Sequence, residues 1–243
     1  MGHFITRHDF DATQSLLIDL HTHTYPGSDD SFMGPDELIG AAKRLGLDGV
    51  CLTEHDFFWS MAELRALSQK HDFLVLPGCE LNTDDGHLVV FGLRQYVFGL
   101  HKPHVVRQLV DRAGGVIIAA HPHRRRFLEE PGHQPQVRSA MLDRAAGAEF
   151  FQICDAVEGI NGRATVLQNR FSQDLGGLLG LPQTGGSDAH RVTQLGTAAT
   201  RFQRAITSLE DLVQELRAGR FQPVDLAQGL SGTEINGDPP EAG

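Results

Sequence analysis

The amino-acid sequence predicts an α/β protein: a parallel sheet covered by helices, most simply closed or nearly closed into a barrel. Three observations carry this. Apolar runs of strand length alternate with helical patterns about seven times along the chain. The 243 residues, 40% of them hydrophobic, fit one large domain able to bury a sizeable core. Finally, the apolar runs end repeatedly in His, Asp or Glu, and the C-terminal ends of the strands are where such barrels keep their chemistry.

In chain order, residues 1–14 are polar and irregular, a loose lead-in. Strand one begins at Leu16 and runs into His21 and His23. Pro35 suits a first helical position, Asp36 and Glu37 complement the helix dipole, and Gly46 closes that helix. Val50 to Thr53 is a strand ending in Glu54-His55-Asp56, and Ser60 to Lys70 is helical. Phe73 to Leu76 is strand three, ending in Pro77-Gly78-Cys79-Glu80, and Leu88 to Phe91 is a strand entered from Gly86-His87. His104 to Ala113 is a helix stopped by Gly114-Gly115, and Val116 to Ala120 is a strand ending in His121-Pro122-His123. Helical Val137 to Ala146 precedes the strand Ala156 to Ile160, which ends at Asn161; Arg163 to Leu179 is mostly helical. Pro182 to Gly185 leads into Gly186-Ser187-Asp188-Ala189-His190, and Thr197 to Phe202 is the last strand. Ser208 and Asp211 have capping-box spacing for a final helix that Gly219 ends. Residues 1–228 form the expected single domain. Residues 229–243, rich in Gly, Pro, Asp and Glu, have little to bury and are expected to be disordered.

Composition narrows the function. No apolar run approaches the roughly 18 residues a membrane span needs, and Met-Gly-His-Phe is not a signal-peptide start, so a cytoplasmic protein is expected. Cys51, Cys79 and Cys154 are an odd number of thiols in apolar surroundings, which suits buried, reduced cysteines. A formal charge of −10 argues against a broad surface for duplex nucleic acid.

His21 and His23 stand at i and i+2 on a strand, so both imidazoles leave its C-terminal end on one face, a nitrogen pair suited to zinc, manganese or iron. Alone, the pair could be two polar residues opening a loop. His55, Glu80, His121, Asp188 and His190 recur at equivalent strand ends, too many for scattered loop residues, and Asp188 and His190 repeat the i, i+2 spacing. His87 could be an ordinary loop histidine and Glu80 a solvated carboxylate, but a bridging carboxylate is what a centre with several like-charged ions requires. His3, His8, His71, His101, His104 and His133 fall outside strand ends and receive no role.

Together these stretches resemble the PHP (polymerase and histidinol phosphatase) family of metal-dependent phosphoesterases. The matching motifs are Asp19-Leu-His-Thr-His, Thr53-Glu-His-Asp, Gly78-Cys-Glu, His87, Ala120-His-Pro and Ser187-Asp-Ala-His, spanning residues 16 to 202. The resemblance implies a distorted seven-stranded β/α barrel with two or three divalent ions. It also implies that His21 and His23 hold one metal with Glu80 and Asp188, and that Glu80 bridges to another completed by His87 and His121. A third would use His55, His190 and Asp30, with Asp29 as the fallback for the acid. Glu54 departs from the family, which more often has Asp there, at a position not expected to be a ligand.

Mixed imidazole and carboxylate donors suit zinc, manganese or iron better than magnesium. Two such ions about 4 Å apart generate a bridging hydroxide that attacks phosphorus, so no Ser or Cys nucleophile is needed; Glu80, Asp188 and His190 are the expected catalytic residues. Arg124, Arg125 and Arg126 follow His121-Pro122-His123 and are the expected grip on substrate phosphate, with Arg124 the nearest and at least one of the three a bystander; Asn161, Arg163 and Arg191 are weaker candidates. The expected partner is a small phosphorylated substrate or nucleotide, and the oligomeric state is left open. An amidohydrolase-type barrel, which also opens with His-x-His and ends with Asp, is one rival, and a non-catalytic metal-binding protein another.

Overall fold

The structure, a computed structural model, describes residues 15–227. The expected lead-in and tail lie outside the described residues. Two five-stranded sheets carry the architecture. The first is ordered β10 (Phe221–Asp225), β9 (Ala198–Phe202), β1 (Leu16–Thr22), β2 (Gly49–Leu52), β3 (Leu74–Pro77). The second runs β4 (Cys79–Asn82), β5 (His87–Phe91), β6 (Val116–Ala119), β7 (Ala156–Asn161), β8 (Gln183–Gly186). Helices α1 (Pro35–Arg44), α2 (Met61–His71), α3 (Pro103–Ala113), α5 (Pro135–Ala146) and α6 (Val166–Leu179) link strands, with a short α4 (Glu129–Gly132) and 3-10 turns at Glu149–Ile153 and Val192–Gln194.

The α/β class is as expected; the purely parallel arrangement is not. β1 pairs antiparallel with β9, β9 with β10, and β5 with both β4 and β6. The physical reason for the β4–β5 pair is connection length. A parallel crossover needs a dozen residues or more, whereas β4 and β5 are joined by a tight turn in which Thr83 N–H donates to the Gly86 carbonyl (3.0 Å). Among the described residues the strand ladders fall into two sheets and not into the single seven-stranded ring that the resemblance implies. The sheets are instead stitched at both margins. Gly78 alone separates β3 from β4, and a parallel bridge joins His55 to Glu80; at the other margin Asp188 N–H donates to His21 O (2.8 Å) and Thr22 bridges Ala189.

Between the sheets lies one apolar core that includes Ile18, Leu20, Leu76, Phe91, Ile118 and Phe202, covered at one end by Leu212 and Leu216 of α7 (Leu209–Ala218). A second core packs Val90, Ile117 and Val157 against α3 and α6, and a third packs Val50, Leu52 and Val75 against α1 and α2. Strands buried on both faces read as continuous apolar runs, which is why they were visible in sequence.

β4, β8 and β10 are strands that the apolar pattern does not mark. β8 reads Gln-Thr-Gly-Gly because its backbone passes close to its neighbours: a Cβ at Gly185 would lie 2.4 Å from the Ala199 carbonyl oxygen, and one at Gly186 2.5 Å from His21 Cβ. β10 carries Pro223, which is tolerable on an edge strand. Helix ends follow local chemistry. Ser60 with Glu63 and Thr165 with Gln168 form full capping boxes. At α7 only half of the expected box forms: Ser208 Oγ accepts from Asp211 N–H, while the Asp211 carboxylate turns to Thr207. No helix among the described residues is long and apolar enough to cross a membrane.

Candidate metal centre

His21 and His23 leave the end of β1 buried and on one face. His21 Nδ1 lies 2.9 Å from Glu158 Oε1; the ring N–H donates to that carboxylate and leaves the Nε2 lone pair free for a metal, facing Glu80 Oε2 (3.2 Å) and Asp188 Oδ1 (3.7 Å). His23 Nδ1 donates to Ser28 Oγ (3.1 Å), whose hydroxyl donates to Glu54 Oε2 (2.7 Å). His23 Nε2 then also faces Glu80 Oε2 (3.2 Å) and Asp188 Oδ1 (3.4 Å).

Glu80, fully buried on β4, divides its oxygens between two groups of imidazoles. Oε2 faces His21, His23 and His55 Nδ1 (3.1 Å), while Oε1 faces His87 Nδ1 (2.8 Å) and His121 Nε2 (2.7 Å). Asp30, on the loop after β1, puts Oδ2 at 3.1 Å from His190 Nε2 and 3.5 Å from His55 Nε2, which favours it over Asp29. All nine expected ligands are therefore brought together, and three subsets have donor atoms close enough to share an ion: His21, His23, Glu80, Asp188; Glu80, His87, His121; and His23, His55, His190. The third subset differs from expectation by having His23 in place of Asp30, which faces His55 and His190 from the exposed loop.

The donors fit metal. Buried side-chain atoms of His21, His23, His55, Glu80, Asp188 and His190 have no hydrogen-bond partner, a costly arrangement unless a cation completes it. Their N···O gaps of 3.1 to 3.7 Å match neighbouring ligands on a tetrahedral ion, which at a bond length of about 2.1 Å stand roughly 3.4 Å apart. Burial would raise the carboxyl pKa of Glu80 and Asp188, but the surrounding imidazoles, His21 foremost, outweigh it and hold both well below the usual range. Burial likewise opposes charge on His21, and Glu158, Glu80 and Asp188 overcome it, pushing its pKa well up; the same carboxylates would stabilise any cation among them. Backbone strain gathers here too. His121 (φ 27°) and Asp188 (φ 54°) adopt left-handed conformations that cost a non-glycine residue roughly 1–2 kcal/mol, a cost met most often at functional sites.

The arginine run divides. Arg124 Nη2 donates to Asp188 Oδ2 (2.6 Å) and Nη1 lies 3.1 Å from His121 Nε2. Arg125 is exposed, and Arg126 donates to the Asp85 carbonyl (2.8 Å) with its guanidinium stacked over Phe150 and Phe151. All three line a small cleft beside His87 and His121. Arg163 reaches the centre from the opposite side, with Nη1 3.1 Å from His190 Nδ1 and 3.6 Å from Asp188 Oδ1.

Sequence reasoning missed the supporting residues. Glu158 orients His21, accepts from His121 N–H (2.7 Å) and from Asn161 Nδ2 (3.0 Å), and is buried. Its signal was a carboxylate inside the apolar strand Ala156–Ile160, where an unpaired charge could not survive. Glu54 accepts from Thr24, Ser28 and Trp59, so it anchors the loop behind His23 without being a ligand. Asp19 ties β1 to the exit of β8 by accepting from Ser187 N–H (2.9 Å), and burial pushes its pKa up to about 7.

A two-sheet α/β fold that gathers nine acid and imidazole groups at its strand ends defines a candidate multinuclear metal protein. The PHP domain model matches residues 19–171 and the PHP-associated model residues 166–221, so the chain belongs to the PHP family. An uncharacterized protein of Methanocaldococcus jannaschii is 27% identical over 117 residues, covering 44% of this chain and 68% of that one. A two-domain protein from Bacteroides vulgatus, described as containing a predicted PHP-like metal-dependent phosphoesterase, superposes with a TM-score of 0.59 at 19% identity, covering 91% of this chain and 68% of that one. An amidohydrolase from Chromobacterium violaceum gives a TM-score of 0.52 at 18% identity, covering 88% and 99%. At these identities the structural likeness speaks for the fold alone.

Proposed function

We propose that the protein is a metal-dependent phosphoesterase that hydrolyses a phosphomonoester or phosphodiester of a small molecule or nucleotide, with two or three zinc, manganese or iron ions. The observation that carries this reading is Glu80, whose two oxygens face two separate imidazole groups, the disposition one carboxylate needs to join two ions. Bound ions would supply Lewis acidity and lower the pKa of water. The chain's own residues do the rest. Glu158 and the Ser28–Glu54 pair fix which nitrogen of His21 and His23 is free. Arg124 and Arg163 flank Asp188 from two sides, where guanidinium forks can take phosphate oxygens as substrate enters. Cys79 offers no competing nucleophile, since burial pushes its thiol pKa well up and keeps it protonated. The two family matches overlap and run together over residues 19–221, which supports one domain there, and three free, buried thiols suit a reducing cytoplasmic setting.

The test is hydrolysis of nitrophenyl phosphate mono- and diesters with manganese, alongside amide and lactone substrates. Phosphate esters should turn over. Turnover of amides or lactones with every phosphate ester inert would transfer the protein to the amidohydrolase reading. In the same assay Arg124→Gln should raise KM or cut kcat/KM by about ten- to a hundredfold, the loss of a charge-assisted contact. Arg125→Gln should act as a bystander. Arg126→Gln should chiefly lower thermal stability, because its guanidinium is committed to Phe150 and Phe151. Unchanged kinetics in the triple variant would leave phosphate binding to the metals and Arg163.

A further inference from the structure

Three exposed aromatic rings stand on one half of the rim, each two residues beyond a candidate ligand: Tyr25 after His23, Phe32 after Asp30 and Phe57 after His55, with 61%, 69% and 40% of their surface open. Other large apolar groups are exposed as well, Phe98 and Val166 among them, but these three are set apart by their place two residues from candidate ligands. Nor does Phe32 sit on a slack loop. Its N–H donates to the His190 carbonyl (2.9 Å), Ser31 Oγ donates to the His23 carbonyl (2.9 Å), and Met33 on the other side is buried. The loop is closed by Tyr25 N–H donating to Met33 O (2.9 Å). The backbone at Phe32 is thus fixed beside the centre, its side chain stays exposed, and the exposed Arg191 guanidinium lies 4.1 Å from the ring centroid.

We propose that Phe32 and Arg191 form a stacking platform for a nucleobase, making a nucleoside phosphate the substrate class of this centre. The proposal rests on the phosphoesterase reading for the fate of the phosphate, but not for binding. Aromatic faces backed by guanidinium take bases of any sequence, because every base has a π-face. The charge arrangement suits the remainder of such a ligand. Arg163 stands next to His190 and Arg124 lies across the centre, so a phosphate at the metals would meet cations on both sides while the base lies over Phe32. A purely aliphatic phosphate would leave the platform unused.

The experiment compares two hydrolysis-resistant phosphonates, the analogues of AMP and of ribose 5-phosphate, which differ only in the base. Their dissociation constants are measured by calorimetry on the metal-loaded protein. The AMP analogue should bind at least about tenfold more tightly. That ratio should fall toward one in Phe32→Ala, and also in Phe32→Leu, which keeps apolar bulk but lacks a flat face; Arg191→Gln should lower it in the same direction. Equal binding of the two analogues by the wild type would overturn the platform, as would a Phe32→Ala variant that weakens both alike. A base preference in a protein that hydrolyses no phosphate ester would keep the platform and discard the phosphoesterase reading instead.

Discussion

Glu80→Gln is expected to remove nearly all phosphoesterase activity, by roughly three orders of magnitude in kcat, and to lower metal content in the same preparation. Both carboxylate oxygens are engaged in the wild type, Oε2 with His21, His23 and His55, Oε1 with His87 and His121. An amide keeps one acceptor and turns an NH2 toward the other imidazole group, so it cannot serve two cations. Glu80 itself is fully buried, leaving little room for water to take the place of its lost oxygen. Parallel kcat assays and elemental analysis check this; a Glu80→Gln protein with wild-type activity would show that the carboxylate does not bridge.

Phe171→Ala should produce the largest loss of stability, about 3–5 kcal/mol, which for a chain of this size lowers Tm by roughly 10 °C. Phe171 is wholly buried on α6 and stacks on Phe127 at 4.9 Å between centroids. Phe127 directly follows the arginine run, its N–H donating to the His123 carbonyl (2.9 Å). The cavity would therefore loosen the loop that aims Arg124 as well as the core. Calorimetric unfolding that shifts by less than about 3 °C would contradict the packing described.

The ligands were legible in sequence because strand-end His, Asp and Glu residues interrupt apolar runs, and the order of those interruptions carries the family pattern. Asp30 was named by the resemblance, with Asp29 as the fallback, and the structure seats Asp30 against His190 and His55. The sheets were less legible. β8 has glycines where the backbone must pass β1 and β9, so it offers no apolar pattern, and β4 begins one residue after β3 ends. The tight turn between β4 and β5 makes that pair antiparallel, and nothing in either strand's own residues marks the direction. Glu158 was hidden for another reason: its partner His21 is 137 residues away, and nothing local marks a long-range hydrogen bond.

The most direct test of the multinuclear centre is elemental analysis of protein purified with zinc, manganese and iron supplied. Nine donors, with buried atoms of six of these residues lacking any hydrogen-bond partner, should retain two or three transition-metal ions per chain, and His21→Ala and Asp188→Ala should each retain fewer. One ion or none in the wild type would contradict a bridging role for Glu80 and the chemistry built upon it.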